Sequence, residues 1–315
     1  MTLYPPLEPT TEFRLEVGGL HTLYVEEMGN PHGVPVLFLH GGPGGQCHAE
    51  NRRYFNPVHY RIILFDQRGC GRSTPVGSIQ ENTTEHLLED IEYIRQYLDI
   101  ERWVLFAGSW GSTLSLLYAQ LYPQRVLGMV LRGNFLARHS DWMWFIEVGG
   151  PRFFPQVWTE LIGSLPAETH EQTTTERLYK AIFSDDEEVS QRASAAWQYW
   201  ERVMVNRTSN LDQFKETDWP SCVEQSRVAL HYAKYRYFIR ENQILDNMHK
   251  LPNVPVRLVH GQLDWVCPVQ SSYLLDQSIK RANLQILDNV GHIAAEKGMK
   301  EALREAADWV LDELG

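Results

Sequence analysis

Residues 103–121 read Trp-Val-Leu-Phe-Ala-Gly-Ser-Trp-Gly-Ser-Thr-Leu-Ser-Leu-Leu-Tyr-Ala-Gln-Leu. Trp103 to Phe106 is a short apolar run of strand type. From Thr113 to Leu121 apolar residues recur at 114, 117, 118 and 121, the spacing of one helix face. Between the two lies Ser109, flanked by small residues, so the expectation is strand, sharp turn, helix. A serine at such a corner sits in a strained turn with its hydroxyl projecting from the sheet edge, as a nucleophile must. Gly108 and Gly111 have a steric task there, because the backbone passes close to itself. The stretch departs from G-x-S-x-G only in having Ala107 at the first position. Taken alone it favours a nucleophile over a merely flexible turn, and its neighbours have to decide.

Upstream, Glu12 to Glu27 alternates apolar and polar residues around Gly18-Gly19, which predicts an antiparallel hairpin at the edge of a sheet. Val34 to Leu39 is a continuous apolar strand running into His40-Gly41-Gly42-Pro43-Gly44-Gly45, a loop whose N–H groups can be aimed at a ligand. Arg61 to Phe65 repeats that arrangement and ends in Asp66-Gln67-Arg68-Gly69-Cys70-Gly71-Arg72-Ser73. Asp66 is read as a structural acid that pairs with Arg68 or Arg72. Thr83 to Leu98 has helical periodicity with Thr83 or Thr84 as cap. Pro123 ends the helix after Ser109, and Val126 to Leu131 is a further strand. Strands alternating with helices predict an α/β fold whose mostly parallel central sheet is covered by helices on both faces.

From about 135 to 247 no strand runs occur, and Trp142, Trp144, Trp158, Trp197, Trp200 and Trp219 crowd the segment. It reads as a helical cap inserted over the sheet's active edge. Residues 1–134 and 248–315 then form the catalytic core. The acidic run Asp185-Asp186-Glu187-Glu188 reads as a solvated helix start. The sheet pattern resumes with Val254 to Gly261, then Leu263-Asp264. Ala282 to Leu287 and Asn289-Val290-Gly291-His292 follow, and an amphipathic helix from Met299 to Leu314 closes the chain.

A serine hydroxyl needs a base, and the base needs an acid that fixes its tautomer. Asp264 and His292 each follow a strand and give the order Ser, Asp, His used by hydrolases of the α/β type. His260 also ends a strand, but it lies immediately before the Asp264 loop, where a base facing Ser109 is hard to place. Gly42 and the residue after the nucleophile, Trp110, are the expected oxyanion donors. Glycine-rich phosphate binding is disfavoured, since no G-x-x-x-x-G-K-[ST] pattern is present.

The chain has 315 residues, 43% of them hydrophobic, and a net charge of −11, which argues against a nucleic-acid partner. Four cysteines without C-x-x-C spacing indicate neither a zinc site nor a disulfide framework. Met1 to Glu12 lacks signal-peptide character, and no apolar run approaches membrane-spanning length, so a soluble cytoplasmic protein is expected. Whether it forms a homo-oligomer is left open.

His-Gly-Gly-Pro-Gly-Gly, Asp-Gln-Arg-Gly-Cys-Gly-Arg-Ser, Gly-Ser-Trp-Gly-Ser and Gly-Gln-Leu-Asp-Trp-Val-Cys-Pro resemble the prolyl aminopeptidase (proline iminopeptidase) branch of the α/β-hydrolases. The resemblance spans nearly the whole chain. It implies removal of an N-terminal proline from a peptide with a free N-terminus, without metal or cofactor. It also implies that cap carboxylates meet the substrate's imino cation beside aromatics that hold the ring. Trp197-Gln198-Tyr199-Trp200-Glu201 is similar to the family's W-x-x-W-E element, which assigns Glu201 to the cation, with Trp197, Trp200, Tyr237 and Phe238 as binding aromatics. One departure stands out. Where the family has a second glutamate shortly before a Tyr-Phe pair, this chain has Lys234. Either Lys234 points away and another acid such as Glu241 or Asp246 compensates, or specificity has changed. The rival functions are an esterase or amidase with an altered cap and a binding homologue without turnover.

Overall fold

The computed structural model describes residues 3–167, 172–210 and 219–315. Met1 and the side chain of Trp219, named above, lie outside the described part. β5 (Trp103–Gly108) is buried along its whole length. It lies between parallel neighbours, β3 (Val34–Leu39) and β6 (Val126–Arg132). A strand covered on both faces must be apolar at every position, which is why this run does not alternate. The eight-stranded sheet is completed by β1 (Thr11–Val17), β2 (His21–Gly29), β4 (Tyr60–Asp66), β7 (Val256–Gly261) and β8 (Ala282–Leu287). Its order is β1-β2-β4-β3-β5-β6-β7-β8, with β1 and β2 the expected antiparallel edge hairpin and β2 also antiparallel to β4.

Alternation along the strands sorts the core into two layers. Leu37, Leu39, Ile63, Phe65, Leu105 and Ala107 face the side covered by α1 (Thr84–Tyr97) and α2 (Trp110–Leu121). Val36, Phe38, Ile62, Leu64, Val104 and Phe106 face the opposite side, where Met299, Leu303, Ala306 and Val310 of the closing helix pack. Helices on both faces are the architecture expected from the strand and helix alternation. Thr83 caps α1, accepting the His86 N–H.

Between β6 and β7 the described elements are helical: α3 (His139–Met143), α4 (Gly150–Phe153), α5 (Pro155–Ser164), α6 (Thr174–Ile182), α7 (Glu187–Asn206), α8 (Trp219–Lys234) and α9 (Gln243–Asp246). The acidic run opens α7, where Asp186 Oδ1 accepts from the Glu188 and Val189 N–H groups. After β7 comes α10 (Gln270–Ser278), for which the sequence pattern gave no signal, and after β8 comes α11 (Lys297–Leu314).

Candidate active site

Ser109 sits between β5 and α2 at φ 56° and ψ −126°, a positive-φ conformation that residues with side chains avoid. The helix begins at Trp110, earlier than the apolar spacing suggested, because Gly111 passes against the end of β3. A Cβ at position 111 would lie 2.1 Å from the Leu39 carbonyl oxygen. Only glycine permits that approach. As the first residue of α2, Trp110 has a backbone N–H without an intrahelical acceptor. Across from it, Gly42 (φ 124°) shares the lining of one cavity with Ser109.

A side chain not singled out by the sequence ties the serine corner to the glycine-rich loop. The Trp110 indole N–H donates to Gln67 Oε1 at 3.1 Å, and Gln67 Nε2 donates to the His40 carbonyl at 2.9 Å. Gln67 therefore spans from the serine corner to the glycine-rich loop. His40 Nε2 accepts the Gln67 backbone N–H at 2.9 Å, which leaves the proton on Nδ1, where the Gly41 carbonyl accepts it.

Asp264 Oδ2 accepts from His292 Nδ1 at 2.7 Å, and Oδ1 accepts from the Val266 and Cys267 backbone N–H groups at 3.0 and 2.8 Å. Burial on its own would raise the Asp264 carboxyl. The His292 charge and hydrogen bond and the backbone donors reverse that and hold it below the usual carboxylate range. A carboxylate on Nδ1–H leaves Nε2 of His292 as the basic nitrogen. His260 is fully buried, and burial lowers its pKa. Its Nε2 donates to the Cys267 carbonyl at 2.8 Å, while its Nδ1 meets Ser272 Oγ at 2.6 Å. Both ring nitrogens are engaged within the core. Cys267, three residues beyond Asp264, lines the same cavity as Ser109. Arg132, at the end of β6, donates to the His292 carbonyl. Asp66 pairs with Arg72 at 2.8 Å rather than with Arg68, which is taken by Asp90 at 2.7 Å.

A partly open cavity lies over Ser109. Phe135, Phe145, Trp197 and Tyr237 line it with apolar surface, and its acids are Asp141 and Glu201. Asp141 is already engaged, since Arg138 Nη2 donates to Oδ1 at 2.6 Å and Nε to Oδ2 at 3.1 Å. Glu201 accepts from Gln198 Nε2 at 3.2 Å, a small share of a carboxylate's capacity. Burial pushes its carboxyl up to about 8, against the opposing charge of Arg202.

The family model described as alpha/beta hydrolase fold matches residues 34–298. Among curated relatives, a probable proline iminopeptidase of Leptolyngbya boryana is 40% identical over 97% of this chain and 96% of its own. A proline iminopeptidase of Arabidopsis thaliana is 40% identical over 96% of this chain and 80% of its own. The chain belongs to the proline iminopeptidase family of α/β hydrolases. Solved structures agree on the fold. An alpha/beta hydrolase enzyme from a Medee basin deep-sea metagenome library superposes with a TM-score of 0.67 at 14% identity, covering 96% of this chain and 97% of the other. A proline iminopeptidase-related protein from Thermus thermophilus gives 0.59 at 21% identity, covering 96% and 98%.

Within this family frame the cap departs from the residues expected. Trp200 is fully buried between Phe145 and Trp158, behind the cavity wall. Phe238 packs on His231, Tyr232 and Tyr235 instead of lining the cavity. Tyr237 is directed inward from a turn in which Arg236, Tyr237 and Phe238 all have positive φ. Lys234 Nζ pairs with Glu176 Oε1 at 3.3 Å, and the lysine is not among the residues lining the cavity over Ser109. Of the acids considered as substitutes, Glu241 accepts the His139 N–H at 2.9 Å and Asp246 is exposed. Asp141, which sequence reading passed over, is the acid that joins Glu201 in the cavity.

Proposed function

We propose that this protein is a serine peptidase that releases N-terminal proline from peptides through an acyl-enzyme. The observation that carries the reading is one apolar cavity holding both the strained Ser109 and the under-coordinated Glu201 carboxylate. Relatives named proline iminopeptidase, aligned over nearly the whole chain, support it.

In this mechanism Ser109 Oγ attacks the prolyl carbonyl carbon and His292 Nε2 takes the serine proton. Asp264 keeps the Nδ1–H tautomer and stabilises the imidazolium. The N–H groups of Gly42 and Trp110 meet the oxyanion, His292 returns the proton to the leaving amine, and water attacks the acyl-enzyme by the same route. Glu201 binds the imino cation, while Trp197 and Tyr237 hold the ring. Trp200 and Phe238 act from behind as packing. Residues 1–134 and 248–315 serve as the catalytic core and 135–247 as the recognition cap. Among the described residues no group of His, Cys, Asp and Glu is disposed to hold a metal ion, and no helix is long and apolar enough to cross a membrane. The four cysteines are buried and none is in a disulfide, which suits a reducing cytoplasm.

The test compares a proline arylamide with its N-acetylated form and with a short-chain aryl ester, in the wild type and in Ser109→Ala. Cleavage of the free proline substrate alone, lost by at least about 1,000-fold on removal of the hydroxyl, is expected. An enzyme that turns over only the ester is an esterase, and the peptidase reading fails.

A further inference from the structure

We propose that Arg207 and Glu296 form a latch through which the substrate-binding helix positions His292, so that the proton shuttle is aligned while that helix is seated. The proposal rests on the reading of Ser109 as nucleophile and His292 as base. α7 brings Trp197 and Glu201 to the cavity and stops at Arg207, which takes a left-handed conformation (φ 59°, ψ 31°). That conformation is sterically costly outside glycine, and here it turns the chain out of the helix.

The guanidinium reaches the loop after β8, where Nη2 donates to Glu296 Oε1. Its central carbon and Nε lie over Gly291, where a Cβ would come within 2.7 Å, so a larger residue there would push the guanidinium aside. The other carboxylate oxygen, Glu296 Oε2, accepts the Gly291 backbone N–H at 2.6 Å. Gly291 immediately precedes His292. One carboxylate thus joins the end of α7 to the peptide unit from which the imidazole hangs.

The remaining ties on that loop come from the core. Asp264 holds the ring through Nδ1 and Arg132 holds the His292 carbonyl. The Arg207–Glu296 tie brings in the helix that carries Glu201. Its side chains are 18% and 26% exposed, so the pair is partly shielded from salt. Neither residue lines the cavity, and both are positioning residues.

A double-mutant cycle on the full chain tests this with Arg207→Met, Glu296→Gln and the pair together, and with Arg207→Lys as the conservative variant. Glu296→Gln keeps shape and an acceptor for the Gly291 N–H, so folding is preserved. Three quantities are read: kcat and KM on a proline arylamide, the second-order rate at which a small fluorophosphonate labels Ser109, and Tm. Each single variant is expected to lower kcat and the labelling rate about tenfold, with KM moving less than about threefold. The double variant loses no more than the worse single, and Arg207→Lys recovers most of the rate. Losses that multiply in the double variant, or a lowered Tm with kcat and labelling intact, overturn the latch alone. Labelling that keeps its wild-type rate in His292→Ala overturns the underlying base assignment, and the latch falls with it.

Discussion

Replacing Glu201 with Gln removes the acid that can ionise against a cation in the cavity, with little change of volume, and the expected loss follows from how that acid is held. The Glu201 carboxyl sits at about 8, because burial disfavours its ionised form more than the Arg202 charge restores it. At pH 7 the free protein therefore keeps it mostly protonated. An arriving imino cation converts a desolvated acid into an ion pair, and the proton leaves to solvent. Each pH unit below about 8 then costs the cationic substrate about 1.4 kcal/mol, or tenfold in kcat/KM. In Glu201→Gln the cation enters with no counter-charge, since Asp141 is bound by Arg138. Stranding a buried charge costs about 3–5 kcal/mol, which corresponds to a loss in kcat/KM of at least about 100-fold. The assay is the pH profile of kcat/KM for a proline arylamide and for its cyclopentanecarboxamide counterpart, which lacks the ring nitrogen. The wild type should show a limb rising to about pH 8 on the proline substrate only, and Gln should abolish that limb. The carbocyclic substrate should change less than about threefold. A Gln variant that retains more than a tenth of the proline activity, or one that loses both substrates equally, refutes the assignment.

The same carboxyl makes stability pH-dependent. Its folded pKa of about 8 lies above the ordinary 4.5, so its contribution is intact below pH 4.5 and is lost as pH rises toward 8. Glu201→Gln should therefore flatten the fall of Tm across that window, and parallel Tm profiles would contradict the burial argument. Gly111→Ala drives a Cβ to 2.1 Å from the Leu39 carbonyl oxygen, a backbone atom that cannot yield without moving β3. Destabilisation of about 3 kcal/mol or more in urea unfolding is expected, with loss of activity in whatever folds. Lys234→Met breaks the half-buried pair with Glu176 and the cation–π contact with Tyr179, both away from the cavity over Ser109, so KM for the proline arylamide should move less than about threefold. A larger shift would mean that the lysine reaches the substrate.

The sheet was legible because burial leaves a one-dimensional trace. A strand covered on both faces is apolar throughout, as β5 is, and an edge hairpin alternates, as β1 and β2 do. The serine corner was legible for a related reason, since close backbone approach demands small residues at fixed offsets. α10 left no such trace. Its buried Ser271, Ser272 and Leu275 make a weak apolar stripe, and Ser272 spends its hydroxyl on His260 and Asn134, contacts visible only after folding. Gln67 and Arg132 were likewise passed over, because a glutamine that spans two loops and an arginine beneath a histidine carbonyl have no local pattern.

By itself the sequence determined the alternation of strands and helices, the strained serine corner, and the order in which Ser109, Asp264 and His292 occur. It could not decide which acid joins Glu201 in the cavity. That depends on which carboxylates are already claimed by partners remote in the chain, as Glu176 is by Lys234 and Glu241 by the His139 N–H. It also depends on which side of a helix the packing turns inward, which is why Trp197 meets the cavity while Trp200 lies behind it. Helical spacing sets which residues share a face. Only the packed neighbours decide what that face looks upon.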